Sequence, residues 1–267
     1  MNHHRLPAKP RRFTSLIKPL LLSIAIGLIP VVSGTFILYW EVDRSQTRSS
    51  IDAGRRAIVQ IDRALERADD ITARAASMAG QECAAVLEPM RRLVASYLSV
   101  RSLVLADAQQ SYCSSEMGPI SVPFTPQVAA RSKLLLRTTS VSMPDRPSLV
   151  FSRFEGAQTV NAVVDAQLIA ELISHGSNGT AALLENNGLF LGKDGRVEKY
   201  AYDSHAEHHS VQVSSLYGYS LHAGYPEGHS MHAFRAQAYP MLGTLALLGI
   251  VTAGACFWLS RQRQFAT

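Results

Sequence analysis

The side chains in this sequence with the most chemistry to offer are its 3 cysteines and 9 histidines. Cysteine thiolates exchange electrons and bind soft metals, while imidazoles carry protons near neutral pH or ligate zinc and copper. Cys256 lies in a long uncharged run, which leaves Cys83 and Cys113 in the segment between two such runs. His205, His208 and His209 stand together in a polar stretch, with His222, His229 and His232 downstream. A zinc or copper site there would need three or four converging ligands, and this spacing matches no strong metal signature. Solvated loop histidines are the plainer reading, and a pH response is the other use of such a cluster. No phosphate-binding loop, dinucleotide fingerprint or nucleophile elbow occurs, so neither an active site nor a cofactor is expected between the two runs.

These residues are held between two apolar segments. From Pro19 to Trp40 there is no charged residue, enough helix to cross about 30 Å of hydrocarbon. A second uncharged run, Ala236 to Ser260, carries Leu245, Leu247, Leu248, Ile250 and Val251, with Tyr239 and Trp258 near its ends. The first run resembles the core of a cleaved secretory signal in following a basic stretch. It exceeds the usual length of about 7 to 15 residues, however, and ends in Tyr39 and Trp40 rather than small residues, so it is expected to remain as an anchor. Residues 1 to 18 hold Arg5, Lys9, Arg11, Arg12 and Lys18 and no acid, and residues 260 to 267 hold Arg261 and Arg263 and no acid. Both tails should therefore be cytoplasmic. The two tails hold seven of the 26 basic residues and none of the 21 acids, which leaves the segment between the spans close to neutral at about −2 within a net charge of +5. That charge is a topology signal and gives no support to nucleic-acid binding. The expected order is a basic tail over 1–18, a first span over 19–40, an extracytoplasmic domain over 41–237, a second span over 238–259, and a tail over 260–267.

Within the domain, Ile51, Ile58, Ile61, Leu65, Ala68, Thr72, Ala75 and Ala79 recur at steps of mostly three and four, the face of one helix ending near Gly80. The stripe either packs on its own domain or pairs two chains as a short coiled coil through the residue 51–79 helix. A second helix is expected from Gln81 to Leu98, with Val86, Met90, Leu93, Val94 and Tyr97 inward. Strands follow at Ser102–Ala106, Ser111–Ser115, Leu134–Thr139, Leu149–Phe154 and Thr159–Val164. Asp165 can cap a helix over Ala166–Ser174, and further strands are expected at Ala181–Leu184, Leu189–Gly192, Val211–Ser215 and Ser220–Tyr225. Asn187-Gly188 and Asp194-Gly195 are hairpin turn signals. The result is an α+β fold: a PAS-like antiparallel sheet with a long N-terminal helix, flanked by two transmembrane helices.

An extracytoplasmic compartment is oxidising and favours pairing of Cys83 with Cys113, which would tie the helical part to the sheet. Closing a loop of roughly 30 residues would stabilise the fold by about 3–4 kcal/mol on a chain-entropy model. The alternative is two unpaired buried thiols.

Around Cys113 the chain reads Val100-Arg101-Ser102-Leu103-Val104-Leu105-Ala106-Asp107, then Ser111-Tyr112-Cys113-Ser114-Ser115, with Gly118 shortly after. Upstream, Cys83 follows Glu82 after a long helix, and downstream Asp165 precedes an apolar helix. Over roughly residues 13 to 262 this resembles the Cys-Ser-Ser (CSS) motif domain, the periplasmic part of a family of bacterial cyclic di-GMP phosphodiesterases. The resemblance implies a bacterial inner-membrane location and a redox-sensitive pair, Cys83 and Cys113, controlling a cytoplasmic phosphodiesterase domain marked by Glu-Ala-Leu. No base adjoins Ser114 or Ser115 to activate either as a nucleophile, so their expected role is structural. No Glu-Ala-Leu string occurs, the nearest being Ala170-Glu171-Leu172, and only Arg261 to Thr267 follow the second run. A metal-dependent barrel takes about 250 residues, so no phosphodiesterase activity is expected of this chain alone.

The leading expectation is a membrane-anchored periplasmic sensor that responds to oxidation or reduction of Cys83 and Cys113. A periplasmic thiol oxidase and a separately encoded phosphodiesterase are the expected partners, beside the inner membrane and a second copy through the 51–79 helix. Two alternatives remain at this stage, a partner-binding subunit with a purely structural disulfide and a small-molecule sensor with a pocket in the sheet.

Overall fold

A computed structural model describes residues 13–123, 133–139, 146–177, 180–199 and 206–265. The chain divides into two compact units: residues 1–45 with 228–267, and Gln46–Glu227.

The first unit is helical. Helix α1, Phe13–Ala75, begins in it, and helix α4, His229–Phe265, ends it. Both have stretches apolar and long enough to cross a membrane, with mean hydropathy 2.3 and 1.9. Only 11% and 6% of those windows are buried, and Leu21, Ile29, Phe36, Ile250 and Val251 are exposed, where a core helix would be mostly buried. The helices meet where side chains are absent. A methyl group added at Gly249 would stand 2.6 Å from the carbonyl oxygen of Gly27, and one at Gly34 would stand 2.8 Å from Leu245. Tyr39 and Phe234 pack edge to face, 5.9 Å between ring centres.

The sequence divides the first 79 residues into a span and a separate helix, whereas α1 is continuous for 63 residues. Glu41 to Ser50 contains neither Gly nor Pro, so nothing in it interrupts the helix. A 3-10 turn, Ala76–Met78, and Gly80 with φ +81 then end it. Helix α2, Cys83–Ala95, carries Pro89 within it and buries Val86 and Met90.

The second unit holds two antiparallel sheets. β1 (Ser102–Ala106), β2 (Gln110–Ser114), β3 (Gly118–Pro123), β4 (Leu134–Arg137), β5 (Ser148–Glu155) and β6 (Gln158–Asp165) form the first, in the order β3-β2-β1-β6-β5-β4. Helix α3, Ala166–Ser177, leads to β7 (Ala181–Asn186), β8 (Leu189–Leu191), β9 (Val197–Glu198), β10 (Glu207–Val213) and β11 (Ser220–Tyr225), in the order β10-β11-β7-β8-β9. The fold is α+β with a long N-terminal helix and antiparallel strands, divided between two sheets rather than gathered in one. The Asp165 carboxylate accepts from the Gln167 N–H at 2.8 Å and caps α3. Asn187 and Gly188 both have positive φ, 54° and 72°, as a two-residue hairpin turn requires. β3 departs from expectation because Pro119 and Pro123 read as loop, yet an edge strand tolerates proline. β9, at two residues, is too short to leave a pattern.

The apolar stripe of α1 packs on its own domain. Ala57, Ile61, Leu65, Ala68, Ile71 and Ala75 are buried in one core with Leu103, Leu105, Phe151, Val160, Leu184 and Tyr219. Fully burying a side chain such as Ile61 or Leu65 stabilises the fold by about 1.5–3 kcal/mol. Any pairing of two chains through residues 51–79 would therefore use the charged outer face of this helix. Polar contacts set its register: Asp62 accepts from the Tyr219 hydroxyl at 2.8 Å and the Ser214 hydroxyl at 2.9 Å, and Arg153 of β5 donates to Asp69 at 2.6 Å. Burial, then the Asp62 carboxylate, hold the Tyr219 phenol far above its ordinary value.

Candidate functional site

The element that carries the candidate chemistry is β2, an inner strand between β1 and β3. Alternation along it sends Cys113 to the core face, where it is fully buried opposite Leu105 of β1. Cys83 is the first residue of α2 and is half-buried. The two are joined by a disulfide, Cα to Cα 5.3 Å, across a sequence separation of 30. Cys256 is the remaining free cysteine and lies in α4.

Neighbouring residues fasten the same strand by other means. The Tyr112 hydroxyl accepts from the Gly80 N–H at 2.8 Å, fixing the link between α1 and α2 beside the disulfide. Ser115 donates its backbone N–H to the Leu103 carbonyl at 2.9 Å, and its hydroxyl accepts from the Leu103 N–H at 3.0 Å. Its carbonyl accepts from Arg91 of α2 at 3.1 Å. The buried Ser114 hydroxyl accepts from the N–H groups of Glu116 and Met117 at 3.3 and 3.4 Å, shaping the turn that leads to Gly118, whose φ is +80. Neither serine has a histidine or carboxylate within hydrogen-bond reach among the described residues, and both hydroxyls serve as backbone acceptors. The unit Cys113-Ser114-Ser115 thus clamps α2, β1 and the β2–β3 turn together. The roles of Tyr112 and Arg91 escape sequence reading, because nothing in their spacing points to Gly80 or Ser115.

The histidines separate. His205 lies outside the described residues. A register shift between Glu207 and Ser210, with φ +53 at His208, turns the next two side chains to different partners. His208 shares a hydrogen bond with the Thr47 hydroxyl at 2.9 Å and stands edge-on to Tyr225. His209 stacks on His222 with their nitrogens 3.2 Å apart, and the other His222 nitrogen lies 2.7 Å from Glu185. Burial, and then the nearby His222, hold the His209 imidazole below its ordinary value. Among the described residues no group of three or more His, Cys, Asp or Glu is arranged to hold a metal ion. His229 and His232 fall in the first turn of α4.

Solved structures resembling the chain include the ligand-binding domain of the Pseudomonas aeruginosa amino-acid chemoreceptor PctC in complex with GABA, at 10% identity and TM-score 0.46, covering 69% of this chain and 99% of that one. The ligand-binding domain of the Campylobacter jejuni chemoreceptor Tlp3 follows twice. Its complex with 4-methylisoleucine is 8% identical with TM-score 0.44, covering 70% and 91%, and its complex with L-valine is 9% identical with TM-score 0.45, covering 71% and 94%. At TM-scores below 0.5 these likenesses carry no weight on their own. No curated protein sequence matches the chain. The family of the disulfide-bonded strand is nevertheless plain, because residues 47–238 match the model of the CSS motif domain associated with EAL, and the chain belongs to that family.

Proposed function

We propose that this chain is a membrane-anchored extracytoplasmic sensor in which the Cys83–Cys113 disulfide is the redox-responsive element of a cyclic di-GMP phosphodiesterase system. The observation that carries the reading is the placement of that bond: it joins the first residue of α2 to an inner strand of the sheet inside the motif that defines the family. The unequal exposure of the two cysteines suggests a defined chemistry. An incoming thiolate attacks the sulfur of Cys83, the more exposed residue, the disulfide breaks, Cys113 leaves as a thiolate and takes a proton, and the mixed disulfide at Cys83 is resolved by a second thiol. Release of the bond leaves α2 held to β2 and its neighbours by weaker contacts, including the Arg91–Ser115 hydrogen bond, so the two redox states differ in how firmly α2 is seated. The basic ends of the sequence support cytoplasmic tails and hence a periplasmic domain, where a thiol oxidase would restore the bond.

The complete burial of Cys113 favours a second reading, a static clamp in a partner-binding subunit. Alkylation in intact cells, with and without prior reduction and with Cys83→Ser and Cys113→Ser controls, tests the first reading at its base. Blocking only after reduction is expected; free reaction of both thiols in an oxidising periplasm removes the redox element. A reduction potential above about −300 mV supports the sensor, and one below it supports the clamp.

A further inference from the structure

Helices α1 and α3 come together at Ala57 and Gly176. A methyl group added at Gly176 would stand 2.9 Å from the Ala57 Cα, so the two backbones meet there. Further along both helices a cavity of about 350 Å³ opens, with Arg63 and Arg67 of α1, Leu168 and Leu172 of α3, and Leu98 and Ser99 of the α2–β1 link in its lining. The Tyr97 hydroxyl donates to Asp70 and ties that link to α1 about a turn beyond Arg67. The volume falls within the range of small-ligand sites, about 300–1,000 Å³.

The lining has a charged part and an apolar part. Arg63 and Arg67 lie four residues apart on one face of α1, about 5–6 Å between Cβ atoms, where like charges repel. Both are exposed, so their guanidinium groups are open to a ligand, and no Asp or Glu lines the cavity. Among the described residues the nearby carboxylates of α1 do not pair with them: Asp69 takes Arg153, Asp70 takes Arg74, and Glu66 stands on the adjoining surface. Leu168 and Leu172 lie about a turn apart on α3 and are half-buried, while Leu98 is fully exposed. Covering such apolar surface is favourable. Ser99 is buried, and its hydroxyl has no hydrogen-bond partner among the described residues. An acceptor oxygen is what the two arginines and this hydroxyl all lack, and guanidinium groups bind a carboxylate through charge-assisted hydrogen bonds.

We propose that the cavity between α1, α3 and the α2–β1 link binds an organic carboxylate with a short alkyl chain, its oxygens on Arg63 and Arg67 and its chain along Leu98, Leu168 and Leu172. The site shares no residue with the cysteine motif and stands whether or not the disulfide acts as a redox element. A ligand seated there bridges α1 to α3 and to the link that leaves α2.

The test is titration calorimetry on the full chain in nanodiscs of zwitterionic lipid, with empty nanodiscs as the blank, using hexanoate, hexanol, acetate and inorganic phosphate. Saturable binding of hexanoate is expected. It should be roughly tenfold or more tighter than that of hexanol, which has the chain without the charge, and of acetate or phosphate, which have the charge without the chain. Arg63→Gln and Arg67→Gln should each weaken hexanoate roughly tenfold or more, as loss of a charge-assisted hydrogen bond does. Their unfolding temperatures should match the parent's, because neither loses an ion pair. Leu168→Ser should narrow the gap between hexanoate and acetate. Arg92→Gln, an exposed arginine of α2 outside the lining, should bind as the parent does. Heat no greater than that of empty nanodiscs, hexanol or phosphate binding as tightly as hexanoate, or an equal loss in Arg92→Gln would each overturn the assignment. So would a changed oligomeric state in the arginine variants with no hexanoate binding by the parent, since that would put a second copy of the chain on this face.

Discussion

Ser115 holds Leu103 twice, its backbone N–H donating to the Leu103 carbonyl at 2.9 Å and its hydroxyl accepting from the Leu103 N–H at 3.0 Å. The second bond is the more consequential, because Leu103 is fully buried and its N–H has no water to turn to. Ser115→Ala should therefore destabilise the domain by about 1–3 kcal/mol, the range for stranding a buried donor. Ser114→Ala should cost less, since its hydroxyl accepts at 3.3 and 3.4 Å from two turn N–H groups with longer, weaker geometry. Urea unfolding of the two variants decides it: a cost at Ser114 equal to or above that at Ser115 would contradict the assignment of roles.

The disulfide should contribute comparably to the rest of the motif combined. Its sequence separation of 30 gives about 3–4 kcal/mol from restriction of the unfolded chain. Cys113 is fully buried, so a serine there would add the cost of an unsatisfied hydroxyl; Cys83→Ser with Cys113→Ala avoids it. That variant should match the reduced parent in denaturant midpoint, and both should fall well below the oxidised parent. Coincident midpoints for all three would mean the bond restrains nothing.

Stability should fall on mild acidification through His209. Its folded-state pKa is depressed by burial and by His222, with Glu185 and Phe190 on the far side of His222. A depressed pKa means the unfolded chain binds the proton more readily. The stabilisation is thus fully present above the unfolded value near 6.5 and is lost as pH falls through the folded value. Thermal unfolding between about pH 7.5 and pH 5 should show a steeper loss in the parent than in His209→Gln. Parallel curves would remove His209 as the cause.

What the sequence made legible was local. β1 and β11 begin and end where their short apolar or β-branched runs do, Asp165 caps α3, and Asn187-Gly188 turns a hairpin, because each depends on residues only a few positions apart. The motif strand with Cys113, and Cys83 at the start of the second helix, were legible for the same reason, with the oxidising compartment and the family pattern both pointing to their pairing. The division into two sheets was not, because it depends on β6 finding β1 across more than fifty residues and β11 finding β7, contacts that no short window contains. Nor was the destination of the Ile61–Leu65–Ala68 stripe, since a weak coiled-coil seam and a domain-facing helix have the same period.

Glycines let the backbones of α1 and α4 approach closely. A Cβ at Gly249 would come within 2.6 Å of a backbone oxygen, that of Gly27, which cannot rotate aside. Gly254 lies five residues further along the same helix and has nothing within 4 Å, so a substitution there meets open space. Helices in lipid gain little from apolar contact with each other and depend on such close backbone approach. Gly249→Leu should therefore part the helices, whereas Gly254→Leu should not, although both add the same apolar group. Oxidative cross-linking of Gly34→Cys to Leu245→Cys in a Cys256→Ser background reads the separation directly, because Leu245 packs against Gly34. Efficient cross-linking is expected with Gly254→Leu and a loss of roughly tenfold in rate with Gly249→Leu, since a displacement of a few ångströms exceeds the reach of a disulfide. Equal rates in the two variants would show that the helices do not meet at Gly27 and Gly249.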